Sequence, residues 1–280
     1  MPFPEADRVL GEKVRMQPEP LEDDTRKEFL VILAAFRRFL SVYEDSAESW
    51  EVMEEIITLR ASFLIDRALT GLRIDFDKAL DLLRNHNTFV SEKERQQRDV
   101  LVSAIGNLVD FAVAEEMEML DTLPTGHTPE DMEECLLVCQ RYNETFARRE
   151  NDDVLYAATI AAWWLNIPDE NWVTFMTQGD ERVRAWHLSQ EGLTYRKSEF
   201  PPELIPPLEW GCRCYLVSDG FSSVTASLPD KGAAHPVHPV FRESLATGGR
   251  IFSGAHPYFK TPFRPEAEAI RQRIKTKFHL

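Results

Sequence analysis

The sequence predicts an α+β protein that is mostly α, with a helical N-terminal half, a mixed α/β region and an irregular C-terminal tail. Apolar residues recur at spacings of three and four over most of residues 24–165, which is the period of amphipathic helices. At Trp172–Thr177 the pattern changes to the alternation that is typical of a strand. Ser, Gly, His and Pro then dominate residues 218–262 and predict irregular chain.

Four divisions of the chain follow from these patterns. Residues 1–22 carry four prolines among acidic residues and predict an extended arm. Residues 23–122 form a predicted helical N-terminal region, and a short linker leads to a second predicted domain at 128–217. Residues 218–280 are predicted to be an irregular tail with one short helix around Pro239–Ala246, ending in a basic helix at Pro265–Lys277.

Local signals mark the predicted helices of the N-terminal region. Gly71, after Thr70, is read as the stop of the second helix. Ser91 and Glu94 fit a capping box that begins a long helix. The four predicted helices are Asp24 to about Tyr43, Ala47–Leu69, Asp75–Leu83 and Ser91 to about Leu120.

The second predicted domain also opens with helices. Thr128 is a predicted N-cap, followed by a proline in the first turn, and this helix is expected to reach about Arg149. A separate helix is expected over Asp152–Leu165. Cys135 and Cys139, at helical spacing among aliphatic residues, are expected to be core.

Composition excludes several classes of protein. The chain has 280 residues and a formal charge of −15, so it repels phosphate unless a local basic patch intervenes. No apolar stretch approaches the length of about 20 residues needed for a membrane span, and we expect no signal peptide. The four cysteines fall as two close pairs, which argues against a secreted disulfide framework and favours reduced thiols.

The stretch from Gln178 to Tyr215 is the densest in residues that carry chemistry. Asp180, His187, Cys212 and Cys214 are candidate zinc ligands, because zinc accepts sulfur and imidazole. A gap of one residue between the cysteines is short for shared coordination. If Cys212 and Cys214 lie on an extended segment, both thiols face the same side.

A second interpretation of the same stretch needs no metal. In it, Asp180, Arg182, Arg184 and Arg213 form a buried ionic and hydrogen-bonded network, while the cysteines pack as small apolar groups. Asp180 is then expected to cap a helix and to pair with Arg184. A catalytic Cys/His pair is formally available, but no oxyanion loop or phosphate-binding loop is recognisable, so we expect no enzymatic activity.

The ordered residues of this stretch resemble the phage Mu F-like family, the minor head proteins of phage head morphogenesis. In that family a Thr-x-Gly-Asp-x-Arg-Val-Arg-x-x-His segment is followed by a glycine and later by Pro-Pro, an aromatic residue and Cys-Arg-Cys. The matching positions here are Thr177, Gly179, Asp180, Arg182, Val183, Arg184, His187, Gly192, Pro206, Pro207, Trp210, Cys212, Arg213 and Cys214.

The resemblance covers roughly Cys135 to Phe259 and includes His256-Pro-Tyr-Phe259 near its end. One departure is the Glu199-Phe200-Pro201 segment, where the family usually carries an aspartate before a Phe-Trp pair. This departure weakens any role for an acid at that place.

The resemblance implies a minor head protein of a tailed phage or prophage, with portal and capsid or scaffold proteins as partners. It would reside in the virion, in the capsid interior or at the portal vertex, and in the host bacterial cytoplasm during assembly. The family is not defined by an enzymatic activity. The alternative is a metal-dependent hydrolase or effector that uses His187, Cys212 and Cys214. DNA is a further candidate partner, through Arg182, Arg184, Arg213 and the basic C-terminal helix.

Overall fold

The computed structural model describes residues 22–43, 46–84, 91–126, 128–218 and 237–280. The predicted extended arm lies outside these residues, except for Glu22, which begins the first helix. The predicted class, α+β and mostly α, is confirmed.

Four helices occupy the part of the predicted helical region that the structure describes. The Ser91 side chain accepts from the backbone N–H of Glu94, as the capping signal predicts. Gly71 does not stop the second helix, which continues to Leu72. The four helices are α1 (Glu22–Ser41), α2 (Ser46–Leu72), α3 (Phe76–Arg84) and α4 (Glu92–Asp121).

Gly71 has a packing role in place of the predicted stop. A Cβ atom at this position would lie 2.6 Å from the Ala158 Cβ and 2.6 Å from the Leu155 carbonyl oxygen. The missing side chain therefore lets α2 approach the helix that carries these two residues. Arg73, with a φ of 57°, follows the last residue of α2 in the left-handed region.

One helical segment replaces the two that the sequence predicts after the linker. Thr128 caps α5 (Pro129–Gln140) together with Asp131, which confirms the predicted N-cap. A π-helical stretch at Arg141–Phe146 then joins α5 directly to α6 (Ala147–Leu165). The break expected before Asp152 does not occur, because Asp153 and its neighbours in α6 pack against other parts of the chain.

A small antiparallel sheet follows. Strand β1 (Trp172–Met176) confirms the predicted strand and lies between β2 (Thr194–Arg196) and β3 (Tyr215–Val217). Trp172 pairs with Arg196 and Met176 pairs with Tyr215. A short helix, α7 (Ala185–Leu188), lies in the connection between β1 and β2.

The described part of the tail is irregular, as predicted, up to its terminal helix α8 (Pro265–Lys277). The single short helix expected around Pro239–Ala246 is wrong: two 3₁₀ turns, Pro239–Phe241 and Leu245–Thr247, stand there. Asn107 of α4 fixes the tail, since its side chain bonds to the backbone of Ile251 and Phe252 at 2.9 Å.

One apolar core connects the helices with the sheet and the tail. Helix α2 packs against α1, α4 and α6, and α8 packs against α4. Cys135 and Cys139 are buried in this core, as predicted. Among the described residues, no helix is both long enough and apolar enough to cross a bilayer.

A buried ionic cluster crosses the helical core. Arg60 is 1% exposed and donates to Glu115 at 2.6 Å, Glu150 at 2.8 Å and Asn151 at 2.7 Å. The hydroxyl of Tyr258 in the tail donates to the other oxygen of Glu150 at 3.0 Å. Burial raises the pKa of Glu150 well above its ordinary value, and the negative charge of Glu115 raises it further.

Candidate functional site

Two segments of the Gln178–Tyr215 stretch meet around one imidazole. His187 lies in α7, and the extended segment that carries Cys212 and Cys214 runs directly into β3. All three side chains are buried, with exposures of 2% for His187, 4% for Cys212 and 3% for Cys214. The sheet pairing of β1 with β3 holds this extended segment beside the β1–β2 connection.

The two ring nitrogens of His187 face different partners. Nδ1 lies 3.0 Å from the Cys214 sulfur and 3.8 Å from the Cys212 sulfur. Nε2 lies 2.7 Å from Oε1 of Glu209, at ion-pair distance but without the alignment of a hydrogen bond. The prediction that both thiols face one side is confirmed, because both reach the same nitrogen.

The two thiols ionise unequally. Burial opposes ionisation of Cys212, but hydrogen bonds with Cys214 and His187 outweigh it and hold the pKa of Cys212 well below its ordinary value. The hydrogen bond with Cys212, followed by burial, raises the pKa of Cys214.

Asp180 does not join the His/Cys cluster. Its carboxylate forms a bidentate pair with Arg213, with Nη1 and Nη2 at 2.8 Å and 2.6 Å from its two oxygens. It also accepts from the backbone N–H of Arg182, in a turn that precedes α7. The prediction that Asp180 caps a helix is therefore wrong, since Arg184 occupies the N-cap position of α7.

Arg184 pairs with Glu209 and not with Asp180, contrary to prediction. Its Nε lies 3.0 Å from Oε1 of Glu209, the same oxygen that faces His187. Its Nη2 donates to the carbonyl oxygen of Trp210 at 3.0 Å. These ionic contacts are partly exposed, so the predicted buried ionic network is wrong, whereas the His/Cys cluster beside them is buried.

Four further motif residues lie around the cluster. The Thr177 hydroxyl donates to the carboxylate of Glu191 and accepts from the backbone N–H of Gly179. Gly179 has a φ of 66° and Gly192 has a φ of 82°, values that disfavour side chains. Trp210 packs edge-on against Phe241 of the tail, with ring centroids 5.0 Å apart.

Helix α6 holds the Cys-bearing segment through residues that the sequence did not single out. The carboxylate of Asp153 accepts from the backbone N–H of Gly211 at 2.9 Å, and Tyr156 donates its hydroxyl proton to the carbonyl of Cys214. Gly211 has a φ of 63°, and a Cβ there would lie 1.5 Å from Nη1 of Arg149. In the sequence, these contacts were indicated only by the helical spacing of residues 149, 153 and 156, which places all three on one face of the helix.

The cluster has the composition of a metal site. One ligand atom from each of His187, Cys212 and Cys214 lies within 4.8 Å of the others. Two sulfurs and an imidazole suit zinc. A cavity of about 570 Å³ lies elsewhere, between α4, the end of α6 and the tail, and none of the motif residues lines it.

The structure also bears on the cations that were candidates for DNA contact. Arg182 is exposed, whereas Arg213 and Arg184 pair with carboxylates. Basic residues of α8 pair with α2 and α4: Arg271 and Lys275 with Asp110, and Arg273 with Glu54.

No protein-family model matches this chain. No solved structure matches it either. Among curated proteins, 44 residues, or 16% of this chain, are 48% identical to part of an uncharacterized protein of Methanocaldococcus jannaschii. The match spans 7% of the length of that archaeal protein.

Proposed function

We propose that this chain is a minor head protein of a tailed phage or prophage, without enzymatic activity. It acts in head morphogenesis by binding portal and capsid or scaffold proteins, and it belongs in the virion and in the host bacterial cytoplasm during assembly. The proposal begins from the resemblance of residues 177–214 to the Mu F-like pattern. A role in DNA packaging or ejection is part of the same proposal.

The observation that supports it is the way the matched positions contact one another. Residues far apart in the chain pair directly: Asp180 with Arg213, and His187 with Cys214. Contacts between the members of a motif explain why this chain and the Mu F-like pattern space these residues alike. Such contacts require no catalytic function. Burial of His187 and both cysteines supports a structural role over a hydrolase that must admit substrate.

The helical N-terminal half is the proposed binding region for the portal or capsid. Leu30 and Val31 of α1 are 49% and 48% exposed, so they present apolar area that a partner would bury. Leu188, beside His187 in α7, is 53% exposed and provides a matched apolar site outside the helical half.

Co-expression with the portal protein encoded by the same phage tests this function. We expect the full chain to co-purify with the portal, the Leu30→Ser/Val31→Ser variant to do so at least about tenfold less, and Leu188→Ser to match the wild type. Failure of the wild-type chain to bind portal, capsid or scaffold protein would reject the proposal. Equal binding by all variants would reject the helical half as the binding region.

A further inference from the structure

We propose that His187, Cys212 and Cys214 bind one zinc ion, with coordination through Nδ1 and two thiolates. This zinc site is independent of the head-protein assignment. Its primary observation is geometric: Nδ1 faces both sulfurs, at 3.0 Å and 3.8 Å. Ligand atoms on tetrahedral zinc stand about 3.5 Å apart for nitrogen and sulfur, so the observed separations bracket the required one.

The chemistry of the ligand set selects zinc among common ions. Thiolate and imidazole donors favour zinc over magnesium and calcium, which take oxygen ligands. Asp180, the carboxylate that the sequence offered as a fourth ligand, is engaged by Arg213. The described residues therefore supply three ligands, and Asp180 does not complete the set.

Glu209 is a positioning residue for this site. Oε1 of Glu209 lies 2.7 Å from Nε2 of His187, on the side of the ring opposite the sulfurs. The negative charge of this carboxylate, at ion-pair distance, favours a proton on Nε2, which leaves the lone pair of Nδ1 free for the metal. Arg184 holds the same oxygen at 3.0 Å. Both Nε2 and Oε1 are buried, so solvent does not compete for this contact.

Zinc here has a structural effect, because it links α7 to the segment before β3. His187 and Cys212 are 25 residues apart in the chain, and a metal that binds both stabilises the fold against separation of these segments. Binding displaces the thiol protons, so both sulfurs coordinate as thiolates.

Elemental analysis of the untagged full chain, purified under reducing conditions without added metal, is the first test. We expect about one zinc per chain in the wild type and in the Cys135→Ser and Cys139→Ser controls, whose buried thiols lie in α5. We expect Cys212→Ser, Cys214→Ser and His187→Ala to retain less than about a tenth of that amount.

Cobalt(II) binding to the wild-type chain keeps the test valid if those variants fail to fold. We expect thiolate-to-cobalt charge-transfer absorption and the strong visible bands of a tetrahedral ion. Glu209→Gln should keep the spectrum but raise the cobalt dissociation constant by about 10- to 100-fold, and Glu209→Asp should restore part of the affinity. A Glu209→Gln variant that binds like the wild type would overturn its positioning role.

Two results would overturn the zinc site. One is a wild-type chain that contains another metal or less than about a tenth of an equivalent of zinc and shows no cobalt–thiolate absorption. The other is a thiol titration of the denatured, unreduced protein that finds two free thiols out of four, with Cys212 and Cys214 joined as a disulfide.

Discussion

Nδ1 of His187 lies 3.0 Å from the sulfur of Cys214, although 27 positions separate the two residues in the chain. This contact closes the stretch that carries the Mu F-like resemblance into one local unit. The Asp180–Arg213 ion pair lies outside the contact, and the glycines of the stretch allow the turns that bring the two segments together. Helix α6 supports the unit from the other side through Asp153 and Tyr156.

Gly71→Ala should destabilise the protein, because the new methyl group would overlap Ala158 and the Leu155 carbonyl oxygen. We expect the free energy of unfolding to fall by about 1–3 kcal/mol, the usual range for overpacking. Gly106→Ala in α4 is the matched control, since its Cβ would meet no described atom closer than 4.0 Å. That control should gain about 0.5–1 kcal/mol in urea unfolding followed by circular dichroism. Equal effects of the two substitutions would contradict the packing role of Gly71.

Arg60→Leu should leave the carboxylates of Glu115 and Glu150 buried without their shared partner. Removing one member of such a cluster is expected to lower the free energy of unfolding by about 3–5 kcal/mol. Arg38→Ala removes an exposed ion pair with Glu55 and should change the free energy of unfolding by less than about 1 kcal/mol. Urea unfolding of both variants gives the comparison. If Arg60→Leu loses as little unfolding free energy as Arg38→Ala, Arg60 is not the stabilising partner of the two buried carboxylates.

Gly211→Ala combines a left-handed backbone with a steric overlap. Its φ is 63°, and its Cβ would lie 1.5 Å from Nη1 of Arg149. Gly179→Ala, with a φ of 66° and no atom within 4 Å, isolates the backbone effect of about 1–2 kcal/mol. We expect a larger loss for Gly211→Ala in thermal or urea unfolding. The double variant Arg149→Ala/Gly211→Ala should recover much of the stability that Gly211→Ala loses beyond Gly179→Ala. If no stability is recovered, the overlap with Arg149 is not the cause of that additional loss.

His256 should make the stability of the protein depend on pH, between the pKa of this histidine in the folded chain and its pKa in the unfolded chain. Burial, followed by the charge of His238, lowers the pKa of His256 from 6.5 to about 4. Between pH 6.5 and pH 4 the unfolded chain binds the proton of this histidine more strongly than the folded chain does. The contribution of neutral His256 to the free energy of unfolding is complete above pH 6.5 and is lost as the pH falls to 4. The loss amounts to about 3 kcal/mol.

Unfolding free energies of wild type and His256→Asn across this pH range measure the effect. Asn retains an acceptor for the backbone N–H of Tyr258, which His256 caps at 3.2 Å, but it does not titrate. The carboxylates that titrate in the same range are common to both proteins. We expect a smaller slope against pH for His256→Asn, and identical slopes would show that His256 does not titrate in this way.

DNA binding should be weak, because the cations that the sequence offered are largely paired. Arg271 and Lys275 both lie 2.6 Å from Asp110, and Arg213 pairs with Asp180. We expect a dissociation constant of about 10⁻⁴–10⁻⁶ M for duplex DNA at physiological salt, the range of non-specific binding. Fluorescence anisotropy at several salt concentrations measures it, and nanomolar affinity would contradict this expectation.

The sequence predicted the elements that depend on local pattern and capping. Ser91 and Thr128 begin helices as their side chains indicate, and the alternation at Trp172–Met176 gives a strand. His238 and His256 each cap a local turn as well, because Nδ1 of each accepts from the backbone N–H two residues on. These features are decided within a few residues, so single-sequence patterns suffice.

Features that depend on distant partners were missed. Gly71 resembles a helix stop, but its role depends on Ala158 in another helix. Asp180 resembles an N-cap, but the helix begins only after Arg184, and Asp180 instead pairs with the distant Arg213. Glu209 gave no signal in the sequence, because its importance comes from reaching Nε2 of His187, a residue far away in the chain.

Mass spectrometry of purified phage heads tests the central claim most directly. The proposal of a phage minor head protein implies an encoding phage, whose particles and procapsids would be separated from host protein on a density gradient, with portal peptides as the positive control. The account predicts peptides of this chain in both fractions, at few copies per head. Heads that contain portal peptides but none from this chain would contradict it.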